Sequence, residues 1–142
     1  MSNEPDSLQR FVDAQAGVYE TALAEVRRGR KTTHWMWFIF PQLLGLGSSP
    51  TARLYAIASI EEARAYLAHP VLGPRLRECA EAVVRLAGRS ATEVFGHPDD
   101  VKLRSSLTLF EAADPAATLF GEALDAVWLG ERDEVTLRKL SG

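Results

Sequence analysis

The stretch Lys31-Thr32-Thr33-His34-Trp35-Met36-Trp37-Phe38-Ile39-Phe40-Pro41-Gln42 sets a lysine, a histidine and a glutamine at the two ends of an aromatic run. An imidazole at His34 can exchange a proton near neutral pH or hydrogen-bond a ligand. Trp35 offers a flat face for stacking, and ligand sites are mostly apolar with a few polar groups. Gln42 closes the run and can emerge at the same surface as His34. The same residues also read as core, because large aromatics fill the centre of a small helical protein and a histidine there bonds a backbone carbonyl. A second chemistry-bearing segment is Lys102-Leu103-Arg104-Ser105-Ser106. On a helix, Lys102, Ser105 and Ser106 share one face. An ammonium beside two hydroxyls suits phosphate or carboxylate; small side chains equally suit a close helix–helix contact.

The expected arrangement brings His34 and Lys102 to one cleft. His34, Trp35, Gln42, Lys102, Ser105 and Ser106 then surround a small anionic or nucleotide-like ligand. His34 is the candidate catalytic base or donor, Lys102 the anion partner, and the serines hydrogen-bond donors. Such a protein is a small-molecule-binding protein or an enzyme. The alternative is a non-catalytic interaction module that presents an aromatic or basic surface to another protein.

Other constellations carry less chemistry. Gly45-Leu46-Gly47-Ser48-Ser49 lacks the Gly-Lys-Ser/Thr of a phosphate-cradling loop and reads as a turn. Cys79 sits on an apolar helix face, where a thiol is inert core. His69 and His97 each precede a proline at a helix boundary, which suits capping or loop roles. Three histidines and one cysteine at unrelated spacings make no zinc site, so no metal is expected. No cofactor is implied. Arg27, Arg28, Arg30 and Lys31 cluster where a helix C-terminus favours cations.

The elements that must position these residues read as helices. Leu8, Phe11, Val12, Tyr19, Leu23 and Val26 fall on one face of a helix opened by Asp6 and ended by Gly29. Ser59 with Glu62 caps a helix that stops at His69-Pro70. A helix from about Val71 carries Leu72, Leu76, Cys79, Val83 and Leu86 inward to Gly88. Ser90 with Glu93 caps a short helix, and Pro98 starts one that runs through Ala113. Asp114-Pro115 opens another, with Phe120, Leu124 and Val127 inward. Asp133 caps a last helix that buries Leu137 and Leu140. The aromatic run is assigned a short helix started by Thr33, because no partner strand appears elsewhere and an isolated strand leaves its backbone unpaired. The fold class expected is all-α, a single compact domain over 1–142 of about six to seven helices, with 1–5 a flexible tail.

At 142 residues, 46% hydrophobic and 25% charged, the chain can bury a full core without disulfides or metal. A net charge of −3 argues against a nucleic-acid partner. The polar, acidic N-terminus is not a signal peptide, and the apolar run to Pro41 is far short of the ~20 residues of a membrane span. No membrane association and a cytoplasmic location are expected. Nothing in the sequence sets an oligomeric state.

The Lys31–Gln42 run resembles the hallmark of a bacterial family known as domain of unknown function 1810. Leu8–Ala24, Tyr66–Arg75 with His69-Pro70-Val71-Leu72-Gly73, and Phe95-Gly96 through Lys102, Ser105, Ser106 and Phe110 are similar to it too. Thr33 and Leu107 stand where serine and methionine are also usual. The resemblance implies an all-α fold and no established activity. Some members carry the label calpastatin, the name of a disordered type of calpain inhibitor; the regular caps here imply a packed core instead.

Overall fold

The computed structural model describes residues 8–141; Asp6 and the 1–5 segment lie outside them. Every regular element among the described residues is helical. In chain order these are α1 (Gln9–Gln15), α2 (Tyr19–Arg28), α3 (Met36–Ile39), α4 (Pro50–Leu54), α5 (Ile60–Ala68), α6 (Leu72–Val84), α7 (Ala91–Phe95), α8 (Asp99–Ala113), α9 (Leu119–Trp128) and α10 (Glu134–Ser141). The one β feature among them is a parallel bridge between Leu43 and Ile57.

Several boundaries follow from capping chemistry. Ser59 Oγ accepts the Glu62 amide at 3.1 Å to start α5, and Ser90 and Glu93 form a reciprocal capping box on α7. His69 Nδ1 accepts the amides of Val71 and Leu72 at 3.1 and 3.2 Å, starting α6. Gly29 ends α2 in the left-handed conformation at φ 78°.

Ten helices among the described residues exceed the six to seven expected, for local reasons. The first apolar face is split at Gly17, whose φ of 80° breaks the helix between α1 and α2. Ser49 caps the unexpected α4 by accepting the Ala52 amide at 3.1 Å. The aromatic helix begins at Met36 rather than Thr33, because the Thr33 hydroxyl is committed elsewhere. Asp114-Pro115 forms a turn, and α9 starts later, at Leu119. In α10, Asp133 does cap, its Oδ2 accepting the Thr136 amide at 3.0 Å. Thr136 then takes the inward face, so Leu140 is partly buried while Leu137 is exposed, against expectation.

Helix α8 lies centrally, packed on α3, α5, α7, α9 and α10, while α6 packs on α2, α5 and α9. Phe11, Tyr66, Phe110 and Phe120 form a chain of ring contacts through the core. Trp35, Phe40 and Phe95 form a second cluster. Each such ring contributes roughly 1.5–3 kcal/mol of burial. Gly73 is required where α6 meets the end of α5: a Cβ there would lie 2.2 Å from the Leu67 carbonyl oxygen. The one buried amide between α1 and α3 is fully used. Gln15 Nε2 donates to the Phe38 carbonyl at 2.7 Å and to Tyr66 Oη at 3.1 Å, and Arg75 donates to Gln15 Oε1 at 3.1 Å.

Candidate functional site

Two structures are built from the hallmark run, and they share little. The first is an anion held inside the protein. Glu25 sits on the inward face of α2, 2% exposed. Its carboxylate accepts the Thr32 amide and hydroxyl at 2.8 and 3.0 Å and the Thr33 amide and hydroxyl at 3.1 and 2.6 Å. Trp35 Nε1 adds a fifth bond at 2.9 Å. Burial by itself raises the carboxyl pKa; the donors outweigh it and hold the group at about 2. Thr32, Thr33 and Trp35 therefore clasp Glu25, and the carboxylate folds the connection out of α2.

The second is a cleft of about 320 Å³ on the surface, walled by Trp37 and Gln42, the loop 46–49, Ala52, and Pro98, Val101 and Lys102 at the start of α8. Its loop wall is flattened onto α4. A Cβ on Gly47 would lie 2.6 Å from the Ala52 Cβ, and the Arg53 guanidinium donates to the Ser48 carbonyl at 3.0 and 2.5 Å. The Gln42 backbone is pinned through its carbonyl, which accepts the Ile57 amide at 2.8 Å. Among the described residues its side-chain amide has no hydrogen-bond partner. The Lys102 ammonium lies 4.5 Å from the Trp37 ring centroid and 3.6 Å from Asp99 Oδ1. The other Asp99 oxygen holds Lys31 at 2.8 Å, and Lys31 in turn lies over the Trp35 ring at 5.0 Å. One carboxylate thus stands between two ammonium groups.

A buried carboxylate orients an imidazole next to Pro98. His97 Nδ1 lies 3.0 Å from Asp100 Oδ1, with the His97 side chain 70% exposed and that of Asp100 5%. The Thr92 hydroxyl and Val101 amide also donate to Asp100, at 2.6 and 2.8 Å. Burial opposes ionisation of Asp100, and these three donors overcome it, lowering its pKa. Cys79 is buried, its thiol pushed up to about 12 by desolvation, so it is no nucleophile. Among the described residues no group of three or more His, Cys, Asp or Glu gathers as a metal site.

Of the residues singled out from the sequence, the structure brings Gln42 and Lys102 together on the cleft wall. His34 is exposed on the protein surface and off that wall, so it is not an imidazole drawn into the core. Trp35 is 1% exposed and spends its indole N–H on Glu25. Ser105 and Ser106 are buried in the packing of α8. Ser105 donates to the Val101 carbonyl at 3.2 Å, and Ser106 Oγ is buried without a partner among the described residues. A shared face on α8 therefore does not mean a shared cleft: the lysine stem reaches the surface and the serine stems do not.

Two residues escaped sequence reasoning, and Trp37 was read only as part of an aromatic run that could line a ligand site. Glu25 was detectable as a charge on an otherwise apolar helix face. Asp100 was signalled by the His97-Pro98-Asp99-Asp100 run. Trp37 differs from Trp35 only in facing outward from α3, which a four-residue helix does not announce.

No curated protein matches this chain. In three dimensions the chain is similar to the conserved hypothetical protein Rv1873 from Mycobacterium tuberculosis, a 1.38 Å crystal structure, at 52% identity and a TM-score of 0.94, over 98% of this chain and 99% of that one. The model of a family described as "protein of unknown function (DUF1810)" matches residues 5–140. The chain belongs to the DUF1810 family.

Proposed function

We propose that the protein binds a small anionic ligand carrying one planar ring in the cleft between Trp37, Gln42 and Lys102. The observation that carries this reading is the Lys102 ammonium poised over the Trp37 face, sharing Asp99, the one carboxylate paired with it among the described residues, with Lys31. A cation incompletely neutralised beside an aromatic platform suits an anion attached to a ring. The Gln42 side-chain amide, unpartnered among the described residues, and the Ser48 and Ser49 backbone amides supply orienting groups. A volume of about 320 Å³ is at the low end for small-molecule sites, which favours a nucleoside monophosphate or smaller over a dinucleotide. His34, Trp35, Ser105 and Ser106 have no part in this site, and no reaction is assigned to it.

Isothermal titration with adenosine monophosphate and, separately, inorganic phosphate tests the reading. Binding is expected in the wild type and loss of it in Lys102→Ala and Gln42→Ala, with the apo fold intact. Undiminished binding in both variants would overturn the assignment.

A further inference from the structure

Asp99 opens α8 with its two oxygens divided between partners of unequal need. Oδ2 lies 2.8 Å from the Lys31 ammonium. Oδ1 lies 3.6 Å from that of Lys102, about one turn further along the helix. The Lys31 side chain is 7% exposed, so its charge requires an anion close by. Its remaining contacts are neutral, the Thr33 carbonyl at 2.7 Å and the Trp35 ring. Lys31 therefore anchors the carboxylate. The Lys102 side chain is 23% exposed and rests on Trp37. It meets Asp99 at ion-pair distance, too far for a good hydrogen bond.

We infer that Asp99 is the internal counter-ion of the cleft, competing with an incoming anion for Lys102 and so setting the affinity of the site. The inference rests on the proposed binding of an anionic ring at Lys102. Handing Lys102 over disturbs the fold little, because Lys31 keeps the carboxylate in place. That fixed negative charge still opposes the incoming anion. Asp99 is not on the cleft wall, so it is a positioning residue that acts through Lys102. Two consequences of opposite sign follow. Neutralising Asp99 strengthens anion binding, by more for a ligand of higher charge, because the repulsion scales with that charge. Neutralising Lys31 leaves Asp99 wholly to Lys102 and weakens binding, although Lys31 is also off the cleft wall.

Isothermal titration with adenosine monophosphate, cyclic adenosine monophosphate and adenosine tests this at about pH 8, where the monoester is dianionic. The three present one ring with falling negative charge. Asp99→Asn retains an oxygen for Lys31 and is expected to bind the monoester about tenfold more tightly than wild type. The cyclic diester should gain less and adenosine nothing. Asp99→Glu, which keeps the charge, should show no gain, and Lys102→Ala combined with Asp99→Asn should abolish it. Lys31→Met is expected to weaken binding of the monoester several-fold and to leave adenosine unchanged. If Lys102→Ala loses the monoester but Asp99→Asn binds it no more tightly, or gains equally for adenosine, the inference falls and the proposed function stands. If neither wild type nor Asp99→Asn binds the monoester, both fall. Should Asp99→Asn fail to fold, Lys31→Met decides alone: undiminished binding of the monoester overturns the inference.

Discussion

Glu25 and the Lys102 cleft lie at opposite ends of one hallmark run, and they differ in how their polar groups are satisfied. Around Glu25, five donors meet one carboxylate that is itself buried. Around Lys102, a single carboxylate is divided between two ammonium groups, and the neighbouring Gln42 amide has no partner among the described residues. A saturated polar cluster has nothing left to offer a ligand and serves the fold. An unsaturated one at a surface cleft retains binding capacity. Thr32, Thr33 and Trp35 thus belong to architecture, whereas the proposed function gives Trp37 and Gln42 to recognition, although they lie close in sequence.

The sharpest way to break this contrast is Glu25→Ala. It leaves the buried Trp35 indole N–H without an acceptor and removes the partner of the Thr32 and Thr33 amides and hydroxyls, and is expected to destabilise by about 3 kcal/mol in chemical denaturation. A loss below about 1 kcal/mol would mean that water replaces the carboxylate and that the clasp is not structural.

Next in size is the response to acid. The folded Glu25 titrates at about 2 against an ordinary 4.5. Its carboxylate therefore stabilises the fold fully above about pH 4.5, and the contribution is lost as pH falls toward 2. The expected loss is about 3 kcal/mol over that window. Asp100, also lowered, adds a loss of the same sign. Denaturation curves between pH 5 and pH 2, compared with Glu25→Gln, measure the Glu25 share; an unchanged pH slope in the variant would contradict it.

At the cleft the expected stability effects are small. Lys102→Ala removes a cation–π contact and a partly exposed ion pair, and should cost less than about 1 kcal/mol. Gln42→Ala should cost less still. Smallest of all is Ser106→Ala, expected near zero or slightly stabilising, because the hydroxyl is buried with no partner to lose. A loss of about 2 kcal/mol there would reveal a hydrogen bond, through a bound water for example.

The helices were largely legible in the sequence because their ends are local chemistry: Ser59 with Glu62, Ser90 with Glu93 and Gly29 each act within a few residues. The exceptions are instructive. Gly17 inside a continuous apolar pattern looked tolerable, yet its positive φ divides α1 from α2. Thr33 has the composition of a helix cap and instead bonds Glu25, a partner brought in by tertiary folding. The candidate site was legible only in Gln42 and Lys102. Ser105 and Ser106 were grouped with Lys102 by helical spacing, but spacing gives direction and not reach. His34 was placed in the core by its aromatic neighbours, whereas the clasp on Glu25 draws Trp35 inward and leaves the histidine outside.

The central claim, that recognition belongs to the Trp37 end of the run and architecture to the Trp35 end, can be read from the three tryptophan indole N–H signals in a nitrogen–proton correlation spectrum. Trp35 is bonded to Glu25 and Trp128 to the Asp100 carbonyl; Trp37 lines the cleft. Titration with adenosine monophosphate is expected to move the Trp37 signal while those of Trp35 and Trp128 stay in place, and Lys102→Ala should abolish the movement. A Trp37 signal that does not respond while Trp35 or Trp128 does would contradict the account.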